Sequence, residues 1–153
     1  MKVFVERVSN FLQLAHAQKR TVTIDQSAER GGSDLGFRPT ELWLTGLCSC
    51  SMMTLLRYAE QNGVPLTDVS ITAEDSVDEQ GDISAIDFQV SFSGQLTAEE
   101  KKDLLQYVRN NCKVMRTVGP HIRISYREAA QAETEDSQLA GSRCTLEGGN
   151  CCG

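Results

Sequence analysis

Apolar residues at every second position open the chain. Val3 and Val5, then Leu12 and Leu14, predict strands over 2–8 and 11–17, joined as a hairpin at Ser9 and Asn10. A third strand is expected over 20–25. Residues 26–38, with Gly31, Gly32 and Gly36 among alternating charges, read as a loop crossing the domain. The period then changes. Over 39–63, Leu42, Trp43, Leu44, Leu47, Met52, Met53, Leu55, Leu56, Tyr58 and Ala59 cover most of the circumference of one long helix, whose first half is expected to be buried nearly all round. Pro39 suits the first helical turn, Glu41 complements the dipole there, and Gly63 suits the position after the end.

The second half repeats the theme. Alternation in Ile86, Phe88, Val90 and Phe92 predicts a hairpin of 69–77 with 83–93 about the turn 78–82, where Gly81 suits positive φ. Thr97 and Glu100 form a capping box for a helix running through Leu104, Leu105, Tyr107 and Val108 to about Cys112. A last strand is expected over 121–127. From Glu128 the residues turn to Ala, Gln, Glu, Ser and Gly, too polar to bury much surface. The expected organisation is a domain over 1–128 and a polar, cysteine-containing extension over 129–153. Its order βββ-α-ββ-α-β defines an α+β fold, with helices against mainly antiparallel sheet. One small sheet cannot cover a helix that is apolar all round, so a homodimer pairing two copies of that helix is expected.

Composition removes several classes. With 21 acidic against 15 basic residues and no basic stripe, the chain is not expected to bind nucleic acid, which needs clustered cations. The first ten residues lack the apolar core of a secretion signal, and the longest uncharged run, 42–56, falls short of the roughly 20 residues of a membrane span. A soluble, cytoplasmic protein is expected. There, six cysteines read as thiols, metal ligands or redox centres rather than structural disulfides. No phosphate loop or Ser/His/Asp order points to hydrolysis. His16 and His121 read as structural or surface residues, and Trp43, Met52 and Met53 as core.

The chemistry concentrates in the long helix. Cys48 and Cys50 lie about 200° apart around it, so they do not share a site. Cys48 falls in a row with Leu44, Met52 and Leu55, where a thiol acts as a small hydrophobe. Gly46 leaves room beside Cys50, which makes Cys50 the candidate reactive thiol. Three turns inside its helix it lies beyond the dipole, and a nearby cation is expected to activate it. Cys112, at the C-terminal end of the second helix, suits a resolving thiol better than an attacking one. The plain alternative is that both are buried thiols without chemistry.

Four runs of sequence bear on that choice: Glu29, Arg30, Gly31, Gly32; Arg38, Pro39, Thr40, Glu41, Leu42; Leu47, Cys48, Ser49, Cys50; and Asn111, Cys112, Lys113, Val114. Together they resemble the OsmC/Ohr family of thiol peroxidases over about 3–127, in the same order of elements. The resemblance implies an OsmC-like fold with a long central buried helix, assembled as an intertwined homodimer with two active sites at its interface. It implies that Cys50 attacks an organic hydroperoxide and becomes a sulfenic acid, which Cys112 resolves as a Cys50–Cys112 disulfide. Glu29 would orient an activating arginine, and a dithiol, such as a lipoylated protein, would restore the enzyme. No cofactor or resident metal is implied.

The chain departs from the family at three points. The glycine-flanked arginine motif of the first hairpin is absent, leaving Arg7 as candidate and Arg20, Arg30 and Arg38 as alternatives. Lys113 replaces the proline after the second cysteine, and Cys48 is an extra thiol. A second reading is therefore a non-catalytic OsmC-like module that carries thiols or binds a small ligand, with Cys144, Cys151 and Cys152 of the extension as a candidate metal-ligand set.

Overall fold

The computed structural model describes residues 1–129. The first three strands, β1 (Phe4–Ser9), β2 (Leu12–Ala17) and β3 (Arg20–Ile24), form an antiparallel sheet in chain order. Asn10 takes the positive φ of the first turn, a conformation asparagine tolerates. Helix α1 (Pro39–Asn62) follows, then the hairpin β4 (Leu66–Val77) and β5 (Ile83–Gly94), helix α2 (Ala98–Asn111) and β6 (Arg123–Glu128). The architecture is α+β as expected, with two differences in its sheets. There are two three-stranded sheets among the described residues, and β6 joins the second of them parallel to β5. Reaching β5 on its parallel side takes a crossover, which α2 supplies.

Local signals act where the sequence places them. Gly63, in the left-handed region at φ 64°, closes α1 with its N–H on the Ala59 carbonyl. Thr97 and Glu100 cap α2 reciprocally, with the Glu100 N–H on Thr97 Oγ1 at 3.2 Å and the Thr97 N–H on Glu100 Oε2 at 2.7 Å. At the β4–β5 turn Asp78 Oδ1 accepts the N–H groups of Gln80 and Asp82, and Gly81 takes φ 86°. No helix of the described residues is long and apolar enough to cross a membrane. The polar extension, with Cys144, Cys151 and Cys152, lies outside the described residues from position 130 onward.

The core lies between α1, α2 and the second sheet. Leu47, Leu55 and Ala59 of α1 meet Ile86, Phe88 and Val90 of β5 and Leu104 and Val108 of α2. Within one chain α1 is not buried all round. Its fully enclosed row is Leu47, Ser51, Leu55 and Ala59, while Met53 and Leu56 are 55% and 44% exposed. The sequence places Cys48 in an apolar row; the enclosed row runs one residue further round, and Cys48 is half-buried. The first sheet stands apart from this core. Val3, Val5, Ala15, Val22 and Ile24 line a cavity of about 340 Å³ on it, shared with Leu42 at the start of α1.

Residues 26–38 are more than a connector. Asp25, 2% exposed, accepts the N–H of Gln26 at 2.8 Å and those of Ser33 and Leu35 at 3.0 and 3.2 Å. Gly32 permits the tight return, since a Cβ there would stand 1.9 Å from the Gln26 carbonyl oxygen. Burial pushes the Asp25 carboxyl up, the three backbone N–H groups outweigh it, and its pKa lies below the ordinary 3.8. A depressed carboxylate stabilises the fold above its unfolded pKa and loses that contribution as pH falls through the folded one. Asp25→Asn is therefore expected to lower the melting temperature at pH 7 and to narrow its gap to wild type below about pH 4; equal melting temperatures at pH 7 would contradict this role.

Candidate active site

Cys50 and Ser51 are neighbours on α1, and both address the chain as it leaves α2. Cys112 is the first residue beyond that helix. Its N–H still bonds the Val108 carbonyl, but its φ and ψ of −64° and 115° turn the backbone out, and its side chain is fully buried. The backbone then folds into the short 3₁₀ turn Met115–Thr117. This bend turns the N–H groups of Lys113 and Val114 toward the Cys50 sulfur, with the Cys112 thiol beside them. The three described cysteines, Cys48, Cys50 and Cys112, are free thiols.

Electrostatics separates those three. Burial pushes the Cys50 thiol up, and the Val114 N–H, the Cys112 thiol, the Lys113 N–H and the Thr54 hydroxyl more than offset it, so the net direction is down. Every group that lowers it is neutral, where the sequence analysis expects a cation. Cys112 moves the other way. Burial pushes it up and Cys50 adds to that push, against the Met115 N–H and the Ser51 hydroxyl. Cys48 is pushed up to about 11 by burial alone. Cys50, half-buried, is thus the thiol of the three that ionises most readily, and Cys112 beside it is held toward its protonated form. Gly46 leaves open space, with nothing within 4 Å of where its Cβ would stand.

The other predicted site residues are placed elsewhere in a single chain. Arg7 lies exposed on β1, opposite Gln13 in the ladder. Glu29 lies exposed on the 3₁₀ turn Ala28–Arg30. Neither is among the groups that shift Cys50. Of the alternatives, Arg38 is engaged with Glu41, its Nε donating to Glu41 Oε1 at 2.7 Å, and Arg20 donates to Gln18.

Two residues that sequence reading passes over complete the site. Ser51 Oγ is 2.7 Å from the Tyr126 hydroxyl of β6 and donates to Cys112 Sγ at 3.6 Å. Tyr126 is held by Phe88, its register partner on β5, with ring centroids 4.6 Å apart and planes within 15° of parallel. A signal for Ser51 is present in the sequence. It is the polar member of the four-residue spacing Leu47, Ser51, Leu55, Ala59, and a hydroxyl in such a row needs a buried partner.

One long helix packed against the second sheet and α2, preceded by a separate three-stranded sheet, with a cysteine from α1 against another beyond α2, defines a class of protein. The sequence profile described as OsmC-like protein matches residues 31–127, and the chain belongs to that family. No curated protein matches it by sequence. Among solved structures, it is similar to an OsmC-like protein from Mycoplasma pneumoniae, at TM-score 0.75 and 15% identity over 84% of this chain and 94% of that one. It is also similar to the organic hydroperoxide resistance protein OsmC from Legionella pneumophila, at TM-score 0.67 and 16% identity over 85% and 98% of the two chains. For the organic hydroperoxide resistance protein OhrB of Bacillus subtilis the values are 0.64 and 14%, over 84% and 98%.

Proposed function

We propose that this chain is a cysteine-based thiol peroxidase that reduces organic hydroperoxides. The observation that carries the reading is the pairing of a half-buried thiol whose pKa is drawn down, Cys50, with a buried thiol whose pKa is pushed up, Cys112, beside it. The names of its structural neighbours, which include organic hydroperoxide resistance proteins, support the same substrate class. Attack of the Cys50 sulfur on the outer peroxide oxygen breaks the O–O bond and releases an alkoxide, which takes a proton to leave as the alcohol. Cys50 becomes a sulfenic acid. Cys112 then attacks that sulfur, giving a disulfide and water, and a dithiol reductant returns both thiols. Met53 and Leu56, exposed apolar residues on the same helix as Cys50, suit a substrate with an organic tail.

Arg7 and Glu29 take the supporting roles implied by the family resemblance only in a homodimer, where the first sheet of a second copy comes to Cys50. The exposed apolar side chains of Phe4 and Val5 on that sheet, with Val3 just before it, support such an assembly. The test is consumption of cumene hydroperoxide by fully reduced protein, with mass spectrometry of the product. The expected outcome is consumption well above that of free cysteine, ending in an intramolecular Cys50–Cys112 disulfide. Consumption no faster than free cysteine would leave the non-catalytic thiol or ligand-binding module in its place.

A further inference from the structure

We propose that Ser51 and Tyr126 are positioning residues for the resolving step, a hydroxyl pair that holds the Cys112 thiol and stabilises the charge on its sulfur as it closes onto Cys50. The inference rests on the peroxidase reading above. A chain of contacts leads from the Tyr126 hydroxyl to the Ser51 hydroxyl at 2.7 Å and on to the Cys112 sulfur at 3.6 Å from Ser51, and the Cys112 thiol acts on Cys50 in turn. Ser51 has a single hydroxyl proton. If it goes to Cys112, the proton between Ser51 and Tyr126 must come from Tyr126, so each group donates to the next toward Cys50. The elements converge from different parts of the fold: α1 carries Ser51 and Cys50, β6 carries Tyr126, and the end of α2 carries Cys112.

In the closing step the Cys112 sulfur attacks the Cys50 sulfur of the sulfenic acid. The S–S bond forms, the S–O bond breaks, and the Cys112 proton leaves with the departing hydroxide as water. The hydroperoxide that made the sulfenic acid is the oxidant, so no other is needed. Negative charge gathers on Cys112 before the proton is fully transferred, and the Ser51 hydroxyl bond to that sulfur strengthens with it. Ser51 and Cys112 are both 0% exposed, so water cannot replace the bond, and low polarity around it makes the bond stronger. Burial pushes the Tyr126 phenol up, so it stays protonated and serves as a donor throughout. Phe88 fixes its ring.

The test uses the full reduced chain and one equivalent of cumene hydroperoxide, quenched over time with dimedone to count sulfenic Cys50 against disulfide. Disulfide closure is expected to slow about tenfold in Ser51→Ala, where a bond to a charged sulfur is lost, and about threefold in Tyr126→Phe. Formation of the sulfenic acid should slow far less than closure. The pH midpoint of closure should also rise in both variants. The titratable groups bearing on Cys112 are Cys50 of α1 and Tyr126 of β6, with Cys48 of α1 acting on Tyr126 as well, and Tyr126→Phe preserves the ring on Phe88. Closure at the wild-type rate in both variants, or equal slowing of both steps, overturns the proposal. Appearance of neither sulfenic Cys50 nor the Cys50–Cys112 disulfide in wild type overturns the peroxidase reading itself.

Discussion

Cys50→Ser is expected to reduce hydroperoxide turnover on the order of a thousandfold or more, because a serine hydroxyl at neutral pH is neither ionised nor a comparable nucleophile toward oxygen. Cys48→Ser is expected to leave turnover at the wild-type level. The two cysteines sit two residues apart on one helix, so a general disturbance of α1 would affect both variants. What separates them is environment: amide and hydroxyl groups draw Cys50 down, while burial holds Cys48 at about 11. The rate of sulfenic acid formation should rise with pH through the Cys50 pKa and level off below the ordinary thiol value of 9.0. A rise that continues toward pH 11 would assign the reaction to Cys48 instead. Cys112→Ser should complete the first turnover and stop there, with Cys50 accumulating as sulfenic and then sulfinic acid. Turnover retained in Cys50→Ser would sink the assignment outright.

The elements of this fold are legible in the sequence because their signals are local. A proline at the start of α1, a glycine beyond its end, the Thr97–Glu100 box and the alternation from Ile86 to Phe92 each act within a few residues. What is not legible depends on partners far along the chain. The parallel pairing of β6 with β5 is set by how α2 crosses back, and nothing in residues 123–128 encodes a direction. The row that α1 buries is similarly hidden, since apolar side chains stand on every side of the helix and packing alone selects Leu47, Ser51, Leu55 and Ala59. Cys50 and Cys112 can be proposed from sequence as chemically active residues. The source of thiolate stabilisation cannot, because backbone amides at Lys113 and Val114 look the same in any sequence, and it takes the bend after α2 to aim them. The expectation of a cation follows from counting side chains only.

Phe88→Ala is expected to remove about 3–5 kcal/mol of stability, measured by urea denaturation, which is a large share of what a domain of this size has. Phe88 is 0% exposed in the middle of β5, and it joins the sheet to α1 and α2 through the core they share. Deleting its ring leaves a cavity beside Tyr126 that neighbouring strands, fixed by hydrogen bonds on both sides, cannot close. Phe88→Leu should lose roughly half as much, since most of the volume is retained. The same ring also holds Tyr126 against Ser51, so stability and the site are linked at this residue. In Phe88→Leu, with the fold intact, the Tyr126 ring loses its stacking surface, and disulfide closure should slow by nearly as much as in Tyr126→Phe. Combining Phe88→Leu with Tyr126→Phe should then add little further slowing, the signature of two residues acting through one hydroxyl. Full additivity of the two in closure rate would mean that Phe88 supports the core alone, with no part in placing the hydroxyl that Ser51 meets.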